Sequence, residues 1–191
     1  SSVNQAAMQR LTDAGKIAAG SHRLYLHNRL VILVPSGNPA GVATVTDLGK
    51  DQVRVSQPDP ANEDIAFHIM DMYRDAGGED LVHRIMEEKR ADGTAIMTVV
   101  HHRETPLRLN KKTVDAGPVW ATEAVYARDQ MLPVEVIDPG PDLDQRGKIN
   151  YYICQLANAP NPDNANAFLH FMGTDRARAI YEKHGFVAHT G

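Results

Sequence analysis

One short stretch of the sequence concentrates residue types that bind anions or metal ions: His101-His102-Arg103-Glu104-Thr105. It follows the largely apolar segment 95–100, which predicts a buried strand, and Thr105-Pro106 predicts the start of a helix. In open α/β sheets, ligands bind beyond the carboxyl ends of strands, where helix N-termini present free N–H groups. Arg103 is able to add a bidentate contact to an oxyanion. The alternative is a solvated polar loop that only caps a helix.

A second stretch, Asn62-Glu63-Asp64, follows the predicted strand 53–55 and precedes a helix stripe that starts at Ile65. Asn62 is the expected N-cap, and acids in a first helical turn are favoured by the helix dipole, so plain capping also explains the stretch. If it contacts a ligand, its carboxylates and that of Glu104 would repel a bare anion. Either the ligand then carries a cationic part or the acids point outward.

The same residues allow a different chemistry, the binding of a metal cation. His101, His102 and Glu104, with a carboxylate from Glu63 or Asp64, would suffice for a metal-cation-binding protein or a metal-dependent enzyme. Against this, adjacent histidines at one strand end tend to point apart, and the sequence contains no His-x-x-x-His pair. It also lacks a Gly-x-Ser-x-Gly elbow and a phosphate-loop lysine motif. We therefore expect no catalytic residues, no bound metal and no cofactor, with the metal-dependent function as the alternative.

The elements that must position these residues alternate between strand and helix, which predicts an α/β fold with a mostly parallel sheet. Strands are predicted at 23–34, 53–55, 95–100, 114–120, 134–137 and 149–156. Helices are predicted at 6–13, from Ile65 to Gly77-Gly78, at 81–89, from Thr105, at 123–130, from Asn161 and at 176–183. In the helix after Asn161 we expect Ala167, Phe168, Phe171 and Met172 to face inward.

Composition excludes several classes of protein. The net charge is −4, with 20 basic and 24 acidic residues and no large basic cluster, which argues against nucleic-acid binding. The longest apolar run, 30–34, is too short for direct membrane insertion. Cys154 is the only cysteine, so an internal disulfide and a cysteine-rich zinc site are both excluded.

Five segments in order resemble the motifs of one protein family, the type 2 periplasmic solute-binding proteins of the molybdate/tungstate-binding kind. The closest match is Val114-Asp115-Ala116-Gly117-Pro118-Val119-Trp120-Ala121-Thr122-Glu123-Ala124, which resembles the family's Asp-Ala-Gly strand, its aromatic residue and the following helix. The resemblance covers nearly the whole chain. The other segments are Asn28-Arg29-Leu30-Val31-Ile32-Leu33-Val34-Pro35 with Gly37-Asn38-Pro39-Ala40-Gly41, then Val53-Arg54-Val55-Ser56-Gln57-Pro58-Asp59-Pro60, Asn161-Pro162 with Ala165, Ala167-Phe168-Leu169 and Phe171, and Gly185-Phe186.

The resemblance implies a ligand trap of an ABC transporter and not an enzyme. Such a periplasmic protein captures a small anionic ligand, here a molybdate-, tungstate- or sulfate-like oxyanion, and delivers it to a membrane permease. The stretches 62–64 and 101–105 then correspond to ligand loops. Trp120 stands where the family has a tyrosine that donates to the oxyanion, and an indole N–H is also a donor. In tungstate-binding relatives, carboxylates complete the coordination of the central metal, which offers a role for the acids.

The resemblance also implies a two-lobed fold. Residues 34–148 should form one complete lobe, and residues 1–30 plus 150–191 an incomplete one, with hinge strands near 28–34 and 149–156. Family members carry an additional N-terminal α/β segment, which supplies half of the ligand cage. We therefore expect these 191 residues alone to bind oxyanions weakly or not at all, and we expect Leu156, Phe168 and Phe171 to need cover from outside the sequence. The turn at 62–65 departs from the family's Pro-Ala-Gly-like pattern, so the resemblance leaves the ligand open.

Overall fold

The computed structural model of the chain describes residues 2–189, with side chains described from residue 4 onward. Its residues divide into two compact units: a discontinuous unit (residues 1–28 and 146–191) and a continuous unit (residues 29–145). The chain passes from one to the other after residue 28 and returns after residue 145. The candidate site residues of both polar stretches belong to the continuous unit.

Nine strands and seven α-helices are present in the described residues of these units. The strands are β1 (Ser2–Asn4), β2 (Arg23–His27), β3 (Leu30–Pro35), β4 (Val55–Gln57), β5 (Ala95–Met97), β6 (Gly117–Trp120), β7 (Val134–Ile137), β8 (Asn150–Ile153) and β9 (Val187–Ala188). The helices are α1 (Gln5–Asp13), α2 (Ile65–His83), α3 (Lys89–Ala91), α4 (Glu104–Asn110), α5 (Ala121–Asp129), α6 (Pro162–Met172) and α7 (Asp175–Lys183). A 3-10 helix at Val45–Gly49 and a π-helix at Arg84–Glu88 complete the chain.

The core of the continuous unit forms around β3. Every residue from Leu30 to Val34 is at most 1% exposed, so both faces of this strand are covered, which explains why its sequence is apolar without alternation. It lies between β6 and β7 and is antiparallel to both. Leu109 of α4 and Ala124 and Ala127 of α5 belong to the same apolar cluster.

The expectation of a mostly parallel sheet is wrong, although the alternation of strands and helices is real. The strands β6 and β7 run in the same direction and are joined by α5, but β3 runs between them the opposite way. The four strands of the discontinuous unit are also antiparallel, in the order β1-β8-β2-β9. Only β4 and β5 are parallel neighbours among the described strands. The order of elements along a sequence does not report which strand inserts between two others.

The parallel pair β4 and β5 places the two polar loops side by side. Gln57 aligns with Met97 at the carboxyl ends of the strands, and the Thr98 N–H donates to the Gln57 carbonyl at 2.8 Å. On the other side of β4, the Ser56 N–H donates to the Ala116 carbonyl at 2.9 Å. The chain leaving β4 therefore starts next to the chain leaving β5, as expected for ligand loops at one sheet edge.

Two predicted helix caps are wrong. Asn62 is exposed and is not the cap of α2: Asp64 takes that position, in a helical conformation and without a side-chain cap hydrogen bond. Helix α4 begins at Glu104, one residue before the predicted start, so Thr105 lies inside the helix. Its buried hydroxyl is within 2.8 Å of the Ser56 hydroxyl. The turn before α4 is held by the Glu104 side chain instead, as described below.

Helix α2 is interrupted where the sequence predicts its end. Gly77 and Gly78 leave the helical conformation, with φ, ψ of −146°, 15° and 72°, −171°. The second of these is a conformation that essentially only glycine adopts. The helical segment resumes after it, consistent with the predicted second helix at 81–89.

In the discontinuous unit, Met8, Leu26, Ile153 and Leu169 are buried. The predicted inward orientation of Phe168 and Phe171 is wrong: they are 54% and 39% exposed, and Leu169 is the residue of α6 that is buried. Leu156 is also 41% exposed, and the expectation that these residues are covered from outside the chain stays a prediction. Ala167 is exposed too, and Met172 is half-buried. Within residues 2–189, none of the helices combines the length and the apolar character needed to cross a bilayer.

Candidate functional site

The site begins with Glu63, whose side chain is 7% exposed although it belongs to a polar loop. Its carboxylate accepts a hydrogen bond from the Thr98 hydroxyl and one from the His102 main-chain N–H at 2.5 Å. The same oxygen lies 2.7 Å from Nδ1 of His102. The loop after β4 is thus fixed to the loop after β5 by one carboxylate.

The side chain of Glu104 holds the loop that follows β5. One of its carboxylate oxygens accepts the main-chain N–H groups of Val99, Val100 and His101 at 2.8, 2.7 and 3.2 Å. The other accepts from Nη2 of Arg108 at 2.8 Å. Partial burial would raise the pKa of Glu104, but these donors outweigh it and the pKa lies below its ordinary value. Glu104 is therefore an ionised group, and both of its oxygens accept hydrogen bonds from the protein.

His102 lies between two carboxylates. Its Nδ1 faces Glu63, and its Nε2 is 3.6 Å from Oε1 of Glu123, a side chain 8% exposed. Burial would raise the pKa of Glu123, but the hydrogen bond with His102 and the charge of Arg103 lower it overall. A carboxylate oxygen accepts hydrogen bonds, so in the contact between Nδ1 of His102 and Glu63 the ring is the donor.

Arg103 is the exposed cation of the site. Its Nε donates to both oxygens of Glu123, at 3.2 and 3.3 Å, and its Cζ lies 5.3 Å from the ring centroid of Tyr126. The side chain is 61% exposed. Within the described part of the chain, Nε is the only atom of this guanidinium with a hydrogen-bond partner. The terminal nitrogens are oriented by the Nε contact and by the ring, but they remain accessible to a ligand.

The two adjacent histidines do not point apart, contrary to expectation. The ring centroids of His101 and His102 are 3.8 Å apart, and Nδ1 of His101 accepts the Arg103 N–H at 3.2 Å. Burial, and then the neighbouring His102, lower the pKa of His101, so its neutral form is favoured. One ligand atom each from Glu63, His101 and His102 lie within 4.8 Å of one another. Of the carboxylates named in the sequence-based alternative, Glu63 belongs to this group, while Glu104 and Asp64 do not.

The structure thus brings together part of the predicted site. Glu63, His101, His102 and Arg103 form one cluster, while Glu104 and Thr105 serve the protein's own structure. Asn62 and Asp64 are exposed. Trp120 is half-buried with its ring 5.8 Å from that of His68. Sequence reasoning missed Glu123, although it sits in the first turn of the helix after β6, the same kind of position that singled out Glu63.

A family model that matches nearly the whole chain shows the family to which it belongs. Residues 1–187 match the model of the family described as bacterial extracellular solute-binding protein. The chain belongs to this family. A Bacillus subtilis (strain 168) protein, named as the ABC transporter substrate-binding lipoprotein YvgL, is 23% identical to this chain over 184 residues. That alignment covers 94% of this chain and 63% of the relative, so the chain spans less than two thirds of the length of this curated solute-binding relative.

Solved structures of solute-binding proteins share the fold at low sequence identity. The substrate-binding domain of a Clostridium difficile protein described as a molybdenum ABC transporter gives a TM-score of 0.77 at 15% identity, covering 98% of this chain and 75% of that one. The sulfate-binding protein SubI of Mycobacterium tuberculosis H37Rv gives 0.74 at 19%, covering 96% and 66%. The periplasmic molybdate-binding protein of Azotobacter vinelandii gives 0.68 at 16%, covering 98% and 76%. The predicted periplasmic-binding-protein fold and the resemblance to the molybdate family are confirmed.

Proposed function

We propose that the chain acts as an extracytoplasmic solute-binding protein of an ABC transporter and captures a small oxyanion such as molybdate, tungstate or sulfate. Membership of the extracellular solute-binding family supports the transport function. The partner is then a membrane permease, and the function is binding without catalysis. In this proposal the two units are the lobes of the trap, with hinge strands near 28–34 and 149–156, and closure about them holds the ligand.

The conformation of Arg103 is the observation that supports an oxyanion as the ligand. Its guanidinium is held through Nε by Glu123 and by the Tyr126 ring, so its two terminal nitrogens are oriented before a ligand arrives. A planar fork of this kind matches two oxygens of a tetrahedral oxyanion. Solved relatives of the same fold are named for sulfate and molybdate, and a further one is a complex with L-phospholactate, so oxygen-rich anions recur among them.

The carboxylates of Glu63 and Glu104 do not prevent anion binding, because donors of the protein offset their charges. Glu104 faces three main-chain N–H groups and Arg108. Glu63 faces a hydroxyl, a main-chain N–H and the His102 ring. Both acids point toward the protein's own donors. The outward-facing charge of the loop is therefore that of Arg103.

The test is a titration with molybdate, tungstate and sulfate followed by NMR, which detects weak binding at ligand concentrations up to about 10 mM. We expect amide shifts centred on residues 98–105 and 123–126. Arg103→Ala should weaken binding by about 1.5–3 kcal/mol, the value of a hydrogen bond to a charged group. Arg128→Ala is the matched control, because Arg128 is an exposed arginine of α5 whose one ion-pair partner among the described residues is its neighbour Asp129. Shifts that are absent for all three anions, or that persist unchanged in Arg103→Ala, would refute the proposal.

A further inference from the structure

The cluster of Glu63, His101 and His102 has the composition of a cation site as well as that of a ligand loop. The carboxylates of Glu63 and Glu123 are 7% and 8% exposed; Glu63 contacts His102, and Glu123 contacts His102 and Arg103. Nearly buried carboxylates are stabilised by any cation that reaches them. Two imidazoles beside them supply the ligand type that divalent transition metals prefer.

The spacing of the ligand atoms is close to that of a metal site. One oxygen of Glu63 and one ring nitrogen from each histidine lie within 4.8 Å of one another. Tetrahedral ligands about 2.0–2.1 Å from a zinc ion lie about 3.4 Å apart, so side-chain movements of up to about 1.4 Å would close the set. His101 is exposed, so its ring has room to rotate toward the other two ligands.

His102 has the surroundings of a metal-ligating histidine. Such a residue uses one ring nitrogen for the ion and directs the other at a carboxylate, which fixes the ring. Here Nδ1 is 2.7 Å from the carboxylate of Glu63, and Nε2 is 3.6 Å from that of Glu123. An ion bound by Glu63 and Nδ1 would take the place of the Nδ1 proton. The neutral ring would then carry its proton on Nε2, which would donate to Glu123.

We propose that Glu63, His101 and His102 bind a divalent transition-metal cation of the Zn²⁺ class, with Glu123 orienting His102. Three protein ligands leave the remaining coordination position of the ion to water or to an anion. The inference goes beyond the proposed oxyanion binding and does not rest on it, since the ligand atoms are those of the protein alone.

The experiment is isothermal titration of zinc chloride into the full chain, stripped with a chelator and then freed of it, in a buffer without oxyanions. We expect one saturable equivalent of zinc in the wild-type protein. His101→Ala, His102→Ala and Glu63→Gln should each weaken it at least tenfold, about the smallest loss seen when a metal site loses a supporting group. His83→Ala is the matched control, because it removes an exposed histidine that lies near Glu88 in the same unit.

His101→Ala keeps the result decisive, because His101 is exposed and its removal should not unfold the chain; circular dichroism checks this. If His102→Ala or Glu63→Gln loses the native spectrum, the result with His101→Ala stands alone. Absence of saturable zinc binding in the wild-type protein would overturn the inference. So would zinc affinity in His101→Ala equal to that of His83→Ala.

Discussion

A single carboxylate, that of Glu104, determines the shape of the loop that carries the candidate site. Three consecutive main-chain N–H groups, those of residues 99–101, point at one of its oxygens. The side chains of Val99 and Val100 are 74% and 80% exposed, so they contribute little burial that would hold the loop. The loop therefore depends on polar contacts, those of residues 99–101 with Glu104 and those of Thr98 and His102 with Glu63.

Glu104→Gln tests this dependence. The amide oxygen still accepts N–H groups, but the charge and the pairing with Arg108 are lost, so the free energy of unfolding should fall by about 1–3 kcal/mol. Urea denaturation followed by circular dichroism measures it. The control is Glu87→Gln, at an exposed glutamate of the π-helix, which should stay within about 0.5 kcal/mol of the wild-type protein. Equal stability of both variants would contradict the role given to Glu104.

At the scale of elements, β6 and α4 approach so closely that only glycine fits at one position. A Cβ added to Gly117 would lie 2.5 Å from Cγ2 of Thr105 and 2.9 Å from the main-chain oxygen of Ser56. This contact sets how near α4 stands to β4 and β6, and hence where the loop before α4 lies. The packing of these elements, and not the loop sequence, fixes the position of the site.

Gly117→Ala should therefore lower the free energy of unfolding by about 1–3 kcal/mol, the usual cost of overpacking a core. Part of the loss should be recovered in the Gly117→Ala/Thr105→Ser double variant, since serine lacks the methyl group in conflict but retains the hydroxyl near Ser56. A coupling of at least about 0.5 kcal/mol in this double-mutant cycle, measured by chemical denaturation, is expected. Gly147→Ala is the control, because its added Cβ meets nothing within 4 Å. Additive single effects would show that the two side chains do not conflict.

The sequence predicts the existence of these elements better than their arrangement. Apolar runs and punctuating glycines are local signals, so β3, α2 and its interruption at Gly77-Gly78 were predictable. The insertion of β3 between β6 and β7 depends on contacts between residues far apart in the chain. For the same reason the sequence identified Glu63 and His102 as candidates but not the carboxylate of Glu123 on the far side of His102. Glu104 binds three adjacent main-chain N–H groups of its own loop. Every non-proline residue has such a group, so residue types do not predict this contact.

At the scale of the whole molecule, one unit is continuous in sequence and the other is not. Residues 29–145 contain β3 to β7 and α2 to α5, so every strand pairing of that unit is made inside one segment. Its core includes a strand whose residues 30–34 are almost fully buried. These properties are those of an independently folding domain.

Residues 29–145 expressed alone should unfold cooperatively in urea. Trp120 is the only tryptophan in the chain, so its fluorescence reports on this unit without interference. The fluorescence and circular dichroism transitions should coincide, as two-state unfolding requires. Broad or separate transitions, or a fragment without helical signal, would show that the unit needs the rest of the chain. The intact chain measured with the same probes provides the reference.

The strand pairings of the discontinuous unit can form only late in synthesis, because the paired strands are far apart in the sequence. Strand β2 pairs with β8 and β9, and Arg23 aligns with Ile153. At translation rates of about 5–20 residues per second, β2 leaves the ribosome about 6–25 s before its partner β8 exists. The continuous unit is completed within that interval. Until then neither β8 nor β9, the partners of β2 in the described residues, has been made, and an unpaired strand edge is a template for association with other chains.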